Sequence, residues 1–381
     1  MKFYVDCVGC EQRQLDAQRI IDYLGANGHE RVETPAAADY SFLVTCGVDN
    51  SAEKASLSRL SEMAAETNRL VVSGCLPDIS PDKLREYGEF PAVSPRRLEE
   101  LDSHMTSYVS IPMREIAYPN SSIFDSRADP TGLLGKLTPR GEYDMAKKGY
   151  KIRVNNECLM DCSYCVIKDA MGRVISVPFD TLVNQFQAAA DRKEPTIMFM
   201  GGDTGAYGYD TGPETRFHSL LQKTLEIPGD HIVFVHDFNV NWYLRDARSY
   251  DDVFARNEEH GRLRSVMLPV QSGSNRILKL MKRPYTHEAV AEKVGNMRKK
   301  HTSIHLGTHV ITGFPSESES DFDATVSLLD KIGFDFISCF VYSERDGARS
   351  SGIGDKVDTD SARSRAHRIA GLFGDGVRVF E

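Results

Sequence analysis

Apolar positions follow two different periods along the N-terminal part of the chain. Short apolar runs at residues 3–5, 40–44 and 69–72 predict three strands. Between them, apolar residues recur with helical spacing over residues 16–24 and 52–67. Strands that alternate with helices of this length predict βαβ units and an open parallel sheet.

The same alternation resumes in the second half of the chain. Apolar runs predict six strands, at residues 151–154, 196–200, 231–235, 265–270, 304–311 and 334–342. Helical periods lie between them, at residues 181–192, 217–225, 241–254, 287–300 and 318–332. Right-handed crossovers would curl such units into an incomplete barrel, since the usual closed barrel has about eight. The predicted fold class is therefore α/β, an open parallel sheet followed by a partial (β/α)6 barrel.

Composition shifts give the expected domain boundaries. Residues 1–117 form an N-terminal α/β domain, and residues 118–147, rich in Pro, Gly and Ser clusters, form a linker. Residues 148–352 form the barrel, and residues 353–381 form one helix with a short tail.

Composition narrows the class of protein. Among 381 residues, 46 Lys and Arg stand against 55 Asp and Glu, a net charge of −9. The sequence has no apolar run long enough for a transmembrane helix and no signal peptide at its start, so we expect a cytoplasmic protein without a membrane partner. The acidic balance argues against a nucleic-acid binder that relies on bulk positive charge.

The chain has eight cysteines, which in a cytosolic protein favour metal ligands or redox groups over disulfides. Cys10, Cys46 and Cys75 each follow a predicted strand of the N-terminal sheet. The carboxyl ends of neighbouring parallel strands meet at one edge, where ligands bind. We therefore expect these three thiols to converge although they are far apart in sequence.

A second cysteine set follows the first barrel strand as Cys158-x3-Cys162-x2-Cys165. Three thiolates on one short loop can hold three irons of a [4Fe-4S] cluster and leave the fourth iron open to a cofactor. Zinc is the alternative, but a structural zinc site normally needs four protein ligands. The cysteine spacing and its position at a strand end favour the cluster.

The string Cys158 to Cys165 resembles the CxxxCxxC signature of radical S-adenosylmethionine enzymes. In that superfamily the open iron binds S-adenosylmethionine, whose reductive cleavage gives a 5′-deoxyadenosyl radical. The resemblance implies that Tyr164 lies near the adenine of the cofactor. It also implies cofactor contacts at later strand ends, namely Gly201, Gly202, Asp203, Thr204, Gln271, Ser272, Arg283, Thr312 and Gly313.

The loop motifs and the N-terminal cysteines together resemble the methylthiotransferase branch of that superfamily. The resemblance implies a second [4Fe-4S] cluster on Cys10, Cys46 and Cys75, with an open iron that holds sulfide or methylsulfide. It further implies sulfur insertion, as methylthio or thiol, into an unactivated C–H bond. A flavodoxin-like or ferredoxin-like protein would supply the electrons.

Departures from the family pattern bear on the substrate. Arg13 stands where the family has Asn, and Val44 stands where it has another Asn. We also expect a member of the family without the C-terminal TRAM domain, the small RNA-binding barrel that follows the last barrel motif in other members. With the acidic balance, these features favour a peptide or small-molecule substrate, as in natural-product biosynthesis, over nucleic acid. The alternatives are a methylthiotransferase for tRNA or a ribosomal protein, and a peptide maturase that uses the second cluster for electron transfer.

Other candidate residues have simpler interpretations. Cys339 lies within an apolar strand and is expected to pack as a small hydrophobe. Cys7 is interpreted as packing, with a role at the N-terminal cluster left open. His236, Asp237 and His309 are interpreted as hydrogen-bonded residues of the barrel, and Trp242 as the anchor of a helix.

Overall fold

The structure is a computed structural model that describes residues 1–67, 69–125, 137–258 and 260–381. It divides into two compact units. The first unit comprises Met1–Ser126, Cys165–Gly172 and Arg345–Gly347, and the second comprises Arg127–Tyr164, Arg173–Glu344 and Ala348–Glu381.

The first unit is built on a five-stranded parallel sheet with the order β2-β1-β3-β4-β5. Its strands are β1 (Lys2–Cys7), β2 (Glu30–Arg31), β3 (Tyr40–Thr45), β4 (Leu70–Gly74) and β5 (Ala92–Val93). Strands β1, β3 and β4 correspond to the three predicted apolar runs. The edge strands β2 and β5 have two residues each and are too short to give a periodic signal.

Helices cover both faces of this sheet. They are α1 (Glu11–Ala26), α2 (Asn50–Glu66), α3 (Leu76–Ile79), α4 (Pro81–Arg85), α5 (Leu101–His104) and α7 (Ile167–Met171). Successive side chains of a strand point to opposite faces. Phe42 and Val44 therefore pack with α1 on one side, while Leu43 packs with α2 on the other.

The second unit contains a seven-stranded parallel sheet with the order β12-β11-β10-β9-β8-β7-β6. Its strands are β6 (Tyr150–Arg153), β7 (Thr196–Met200), β8 (Ile232–Val235), β9 (Leu263–Met267), β10 (His305–Thr312), β11 (Phe336–Val341) and β12 (Val377–Phe380). The α/β class with two successive parallel sheets is confirmed. The six predicted barrel strands are β6 to β11.

The C-terminal tail differs from the sequence-based expectation. A helix over the predicted region is present, but residues 377–380 form strand β12, which pairs in parallel with β11 from Ile337 to Phe340. Val377 and Val379 pack on the core of the unit, and the ring of Phe380 stacks on Phe340 at 4.7 Å. A run of four residues with this pattern is too short for the sequence alone to distinguish a strand from a loop.

Helices of the second unit alternate with its strands. They are α6 (Pro139–Ala146), α8 (Phe179–Asp191), α9 (Phe217–Leu225), α10 (Val240–Arg245), α11 (Ala247–Asn257), α12 (Asn275–Leu280), α13 (His287–Lys300), α14 (Glu319–Ile332) and α15 (Thr359–Phe373). Within the described part of the chain, no helix is both long and apolar enough to cross a membrane.

The two faces of the second sheet pack against different partners. Residues such as Ile152, Phe199 and Val235 join the large core beneath the helices. Met198, Phe234 and Met267 point to the opposite, inner face and form a smaller cluster with Tyr143 of α6. These apolar side chains therefore line part of the inner face, and polar groups lie near the carboxyl ends of its strands.

Candidate functional site

The first unit brings three cysteines to the carboxyl edge of its sheet. Cys10 comes shortly after β1, Cys46 directly after β3 and Cys75 directly after β4, and these strands are neighbours. Burial raises the pKa of Cys46, and the nearby thiols of Cys10 and Cys75 raise it further. The structure therefore places the three cysteines as the expected convergence requires.

A backbone contact fixes the spacing of two of these cysteines. Gly74 has a φ of +92°, and a Cβ there would lie 2.2 Å from the carbonyl oxygen of Thr45. The Cys75 N–H donates to the same oxygen at 3.0 Å. Because only glycine permits this approach, the chain before Cys75 lies against the chain before Cys46.

The backbone of Cys46 is also tied to helix α2. The hydroxyl of Ser56 accepts from the Cys46 N–H at 2.9 Å and lies 2.8 Å from its carbonyl oxygen, to which it can donate. One turn earlier in α2, the Glu53 carboxylate accepts from Ser80 at 2.5 Å, Lys83 at 2.6 Å and Arg345 at 2.5 Å. These bonds hold the N-terminal half of α2 in position beside Cys46.

Arg13 is a buried charged side chain that contacts one of these thiols. It is 2% exposed, and its Nε lies 3.0 Å from a carboxylate oxygen of Asp16. Its Nη1 donates to the Cys75 sulfur at 3.8 Å. Gly9 allows this placement, since a Cβ there would overlap the Arg13 side chain at 2.2 Å.

The donor set of this edge fits an iron–sulfur cluster. Burial raises the pKa of Cys46 to about 12 and that of Cys75 to about 11, and Arg13 opposes the second shift. Such thiols bind metal by losing their protons to it. Among the described residues, no three His, Cys, Asp or Glu side chains are grouped closely enough to hold one metal ion. A four-iron cluster spaces its thiolates more widely, because each binds a different iron.

In the second unit, the loop after β6 carries Cys158 and Cys162. The Met160 N–H donates to the Cys158 sulfur at 3.3 Å. Ser163 anchors the loop to the end of α12, with its N–H on the Met281 carbonyl at 3.1 Å and its hydroxyl on the Leu280 carbonyl at 2.7 Å. The third cysteine of the motif, Cys165, is exposed and belongs to a segment grouped with the first unit.

The glycine pair after β7 packs against the chain itself. A Cβ on Gly201 would lie 2.3 Å from the Asn155 side chain, and one on Gly202 would lie 2.6 Å from the Glu157 backbone. Asn155 bridges the two segments, because it accepts from the Gly202 N–H at 3.1 Å and donates to the Asp203 carbonyl at 2.7 Å. The sequence offered no signal for this role of Asn155.

Asp203 has internal hydrogen-bond partners. Its carboxylate accepts from the Trp242 indole N–H at 2.6 Å and from the backbone N–H groups of Gly205 and Asn239. Burial raises its pKa to about 6 against these donors. Its Oδ2 also lies 3.7 Å from the Cys158 sulfur, so Asp203 joins the glycine loop to the cysteine loop. Trp242 anchors Asp203 as well as its helix.

Arg283 Nε and Gln271 Oε1 are buried polar atoms that have no hydrogen-bond partner among the described residues. Arg283 is 7% exposed, and the thiols of Cys162 and Cys158 raise its pKa although burial alone would lower it. Gln271 lies in the segment that follows β9 and has a φ of +67°. An unpartnered donor and acceptor at this edge fit a zwitterionic cofactor such as S-adenosylmethionine.

Other expected cofactor contacts have structural partners. The Thr204 hydroxyl donates to the His236 carbonyl at 2.9 Å, and the Thr312 hydroxyl donates to the Ala362 carbonyl at 3.0 Å. The Ser272 hydroxyl lies 3.3 Å from that of Thr325. Gly313, with a φ of +74°, approaches Ala362 closely. Cofactor contacts at these four residues stay a prediction.

Tyr164 and the two remaining cysteines have simple surroundings. The Tyr164 ring packs edge to face with Phe314 at 6.5 Å, and its place near an adenine stays a prediction. Cys339 is fully buried in the core, as expected. Cys7 packs against the first-unit core, and its thiol accepts from the Gly9 N–H at 3.4 Å.

A polar cluster on the inner face of the second sheet includes residues that the sequence analysis treated as ordinary. His236 Nε2 lies 3.0 Å from Asp237 Oδ2, and its Nδ1 is hydrogen-bonded to the Tyr143 hydroxyl. Asp237 has a φ of +47°, a region rare for residues other than glycine. Burial lowers the pKa of His309 to about 4, with Asp237 opposing. Buried titratable groups with strained backbone mark candidate functional sites.

Comparison with known proteins now decides the family. The profile of the Radical SAM superfamily matches residues 152–329, and that of Uncharacterized protein family UPF0004 matches residues 2–93. The ribosomal protein uS12 methylthiotransferase RimO of Aeromonas salmonicida (strain A449) is 29% identical over 369 residues, covering 96% of this chain and 80% of the relative. The chain belongs to the radical S-adenosylmethionine methylthiotransferase family.

One further relative and two solved structures are also similar to this chain. The RimO protein of Escherichia coli O1:K1 / APEC is 28% identical over the same shares of both chains. The radical S-adenosylmethionine methyltransferase TsrM from Kitasatospora setae, with cobalamin and a [4Fe-4S] cluster bound, has a TM-score of 0.60 at 14% identity, covering 89% of this chain and 74% of that one. The cobalamin-dependent enzyme OxsB has a TM-score of 0.56 at 11% identity, covering 86% and 51%.

The structural neighbours establish the fold alone, while the family establishes the kind of enzyme. A member of this family is a radical S-adenosylmethionine, methylthiotransferase-like enzyme that uses [4Fe-4S] chemistry. The expectation of an enzyme of this kind is therefore confirmed.

Proposed function

We propose that this enzyme inserts sulfur, as methylthio or thiol, into an unactivated C–H bond and that it does so with two [4Fe-4S] clusters. The observation that carries the proposal is the convergence of Cys10, Cys46 and Cys75 in a chain that also carries the CxxxCxxC loop. A radical enzyme needs only the loop cysteines to cleave its cofactor. A second open cluster is useful when a sulfur atom must be supplied to the substrate.

We assign the roles of the CxxxCxxC cysteines and of the residues at the second sheet accordingly. Cys158, Cys162 and Cys165 would hold one cluster, and S-adenosylmethionine would bind at the carboxyl edge of the sheet. When bound, the cofactor supplies the radical that removes a hydrogen atom from carbon. Arg283 Nε would donate to its carboxylate, and Gln271 Oε1 would accept from its amino group. Asp203 and Asn155 hold the loops that carry these contacts.

The substrate that we propose is a polypeptide side chain. The curated relatives are named for methylthiolation of a ribosomal protein, uS12, which favours a polypeptide over RNA. His236, Asp237 and His309 on the inner face offer a carboxylate and imidazoles that would orient a polar side chain. A small molecule that mimics such a side chain would meet the same groups. A low-potential flavodoxin-like or ferredoxin-like protein would donate electrons.

Iron analysis and product analysis test this proposal together. The anaerobically reconstituted chain should hold about eight irons, two clusters of four. The variant Cys10→Ala/Cys46→Ala/Cys75→Ala should hold half as many, still form 5′-deoxyadenosine, and transfer no sulfur. Cys339→Ala removes a buried thiol that belongs to neither cluster site, so this variant should retain the full iron content and activity. Sulfur transfer by the triple variant would refute the role of these cysteines.

A second candidate function is electron transfer by the N-terminal cluster during peptide maturation. The buried cation beside Cys75 favours it, because positive charge makes a cluster easier to reduce. The mass of the product separates the two functions. Sulfur insertion adds the mass of CH2S or of one sulfur atom, whereas oxidation or cross-linking removes hydrogen and epimerisation leaves the mass unchanged.

A further inference from the structure

The environment of Arg13 is unusual for a buried cation. Its side chain is 3% exposed and has one carboxylate partner, Asp16, which is equally buried. A guanidinium stays protonated throughout the physiological pH range. Its Nη1 also lies 3.8 Å from the sulfur of Cys75, one of the three cysteines assigned to the N-terminal cluster.

The cation is aimed at the thiols as well as at its carboxylate. Arg13 Nε faces Asp16, while Nη1 donates to the Cys75 sulfur. The guanidinium therefore presents its positive charge to the Cys75 sulfur through Nη1, while the Asp16 carboxylate lies at Nε.

Two features of the local sequence determine where the Arg13 side chain lies. Gly9 leaves room for the Arg13 side chain, which a Cβ at that position would overlap. Arg13 lies within the first turn of α1, which begins at Glu11 directly after Cys10. Helix α1 thus fixes the guanidinium relative to Cys10, and the hydrogen bond fixes it relative to Cys75. A merely structural ion pair would need no contact with sulfur.

We propose that Arg13 is a positioning residue that raises the reduction potential of the N-terminal cluster and stabilises an anionic sulfur ligand on its open iron. The inference rests on the proposed function, since it takes Cys10, Cys46 and Cys75 as cluster ligands. Reduction adds one negative charge to the cluster, and a thiolate or sulfide ligand adds another. A fixed positive charge in a site of low dielectric favours both states.

The experiment isolates the N-terminal cluster in the full-length chain. Cys158, Cys162 and Cys165 are replaced by Ala, so that every cluster signal comes from the N-terminal site. In this background Arg13 is changed to Met or to Lys. An anaerobic redox titration followed by electron paramagnetic resonance gives the midpoint potential. The affinity for methanethiolate, used as the probe ligand, is measured on the same samples.

Arg13→Met should weaken electron uptake about tenfold, which lowers the midpoint potential by about 59 mV for one electron. It should also weaken methanethiolate binding by a similar factor. Arg13→Lys keeps the charge and should retain most of both properties. In Arg13→Met/Asp16→Asn the buried carboxylate is neutralised too, so the potential should lie above that of Arg13→Met alone. Arg69→Gln, which removes an exposed positive charge elsewhere in the first unit, should change neither property.

The outcomes distinguish this inference from the proposed function. A cluster with the same potential and thiolate affinity in Arg13→Met would overturn the role of Arg13 and leave the two-cluster proposal intact. An equal loss in Arg13→Lys and Arg13→Met would overturn it as well, because charge would then not be the cause. If the chain that keeps Arg13 but lacks Cys158, Cys162 and Cys165 assembles no cluster, both proposals fail.

Discussion

The buried carboxylate of Glu53 makes a quantitative prediction about the first unit. Glu53 accepts hydrogen bonds from Ser80, Lys83 and Arg345, and burial opposes these donors. The net result lowers its pKa from 4.5 to about 2. The side chain is only 7% exposed, so solvent screens these contacts little.

The magnitude follows from that shift. A pKa lower by about 2.5 units corresponds to about 3 kcal/mol of stability at neutral pH, at about 1.4 kcal/mol per unit. Replacing Glu53 by Gln removes the charge and leaves Arg345, itself 3% exposed, without its carboxylate. Breaking one side of a buried ion pair typically costs about 3–5 kcal/mol. We therefore expect Glu53→Gln to lower the free energy of unfolding by about 3 kcal/mol at pH 7.

The dependence on pH has a defined direction. Because the pKa of Glu53 is lower in the folded chain, its contribution is complete above the unfolded value and is lost as pH falls through the folded value. The difference between the parent chain and Glu53→Gln should therefore shrink from about pH 4.5 towards pH 2. Urea unfolding followed by far-ultraviolet circular dichroism at several pH values measures it.

Glu62→Gln provides the matched control. Glu62 lies on the same helix, and its ion pair with Arg59 is largely exposed, so its loss should cost under about 1 kcal/mol. Two results would refute the reasoning: equal destabilisation by the two substitutions at neutral pH, or an effect of Glu53→Gln that does not change with pH.

Two further predictions concern the second unit. Gly202→Ala would place a Cβ 2.6 Å from the Glu157 carbonyl carbon and so displace the loop before Cys158. Binding of S-adenosylmethionine, measured by equilibrium dialysis, should therefore be lost or greatly weakened. Unchanged binding would contradict this prediction. Gly295→Ala, at an open position of α13, is its control and should stabilise the chain by about 1 kcal/mol. Trp242→Phe removes the indole donor to Asp203 and should lower the free energy of unfolding, measured with urea, by about 1–3 kcal/mol. An unchanged free energy of unfolding would show that Asp203 does not need this donor.

The sequence predicted the fold through its regular periods. Strands β3 and β7 were located within a residue of their observed bounds, because continuous apolar runs mark buried parallel strands. Convergence of Cys10, Cys46 and Cys75 followed from one topological rule about parallel sheets. Each of these inferences needs only the order of elements and the residue that ends each strand.

What the sequence did not show depends on contacts between distant residues. Nothing near Asn155 indicates that its amide joins the end of β6 to the Gly202 and Asp203 backbone. The direction of the Arg13 side chain towards Cys75 likewise needs the packing of α1 against the sheet. The resemblance implied cofactor contacts at Gly201 and Gly202, but it did not show that a Cβ at these positions would meet Asn155 and Glu157.

Strand β12 has a consequence for how the protein behaves in concentrated solution. It covers the edge of β11, whose residues Phe336, Ile337 and Phe340 are apolar. An uncovered apolar edge is a template for pairing with another chain. The covering strand itself has four residues and carries Arg378, which pairs with Asp144 at 2.7 Å, so it presents a short and charged edge in its place. Proteolytic removal of this one strand would expose the apolar edge of β11, and we therefore expect it to promote self-association.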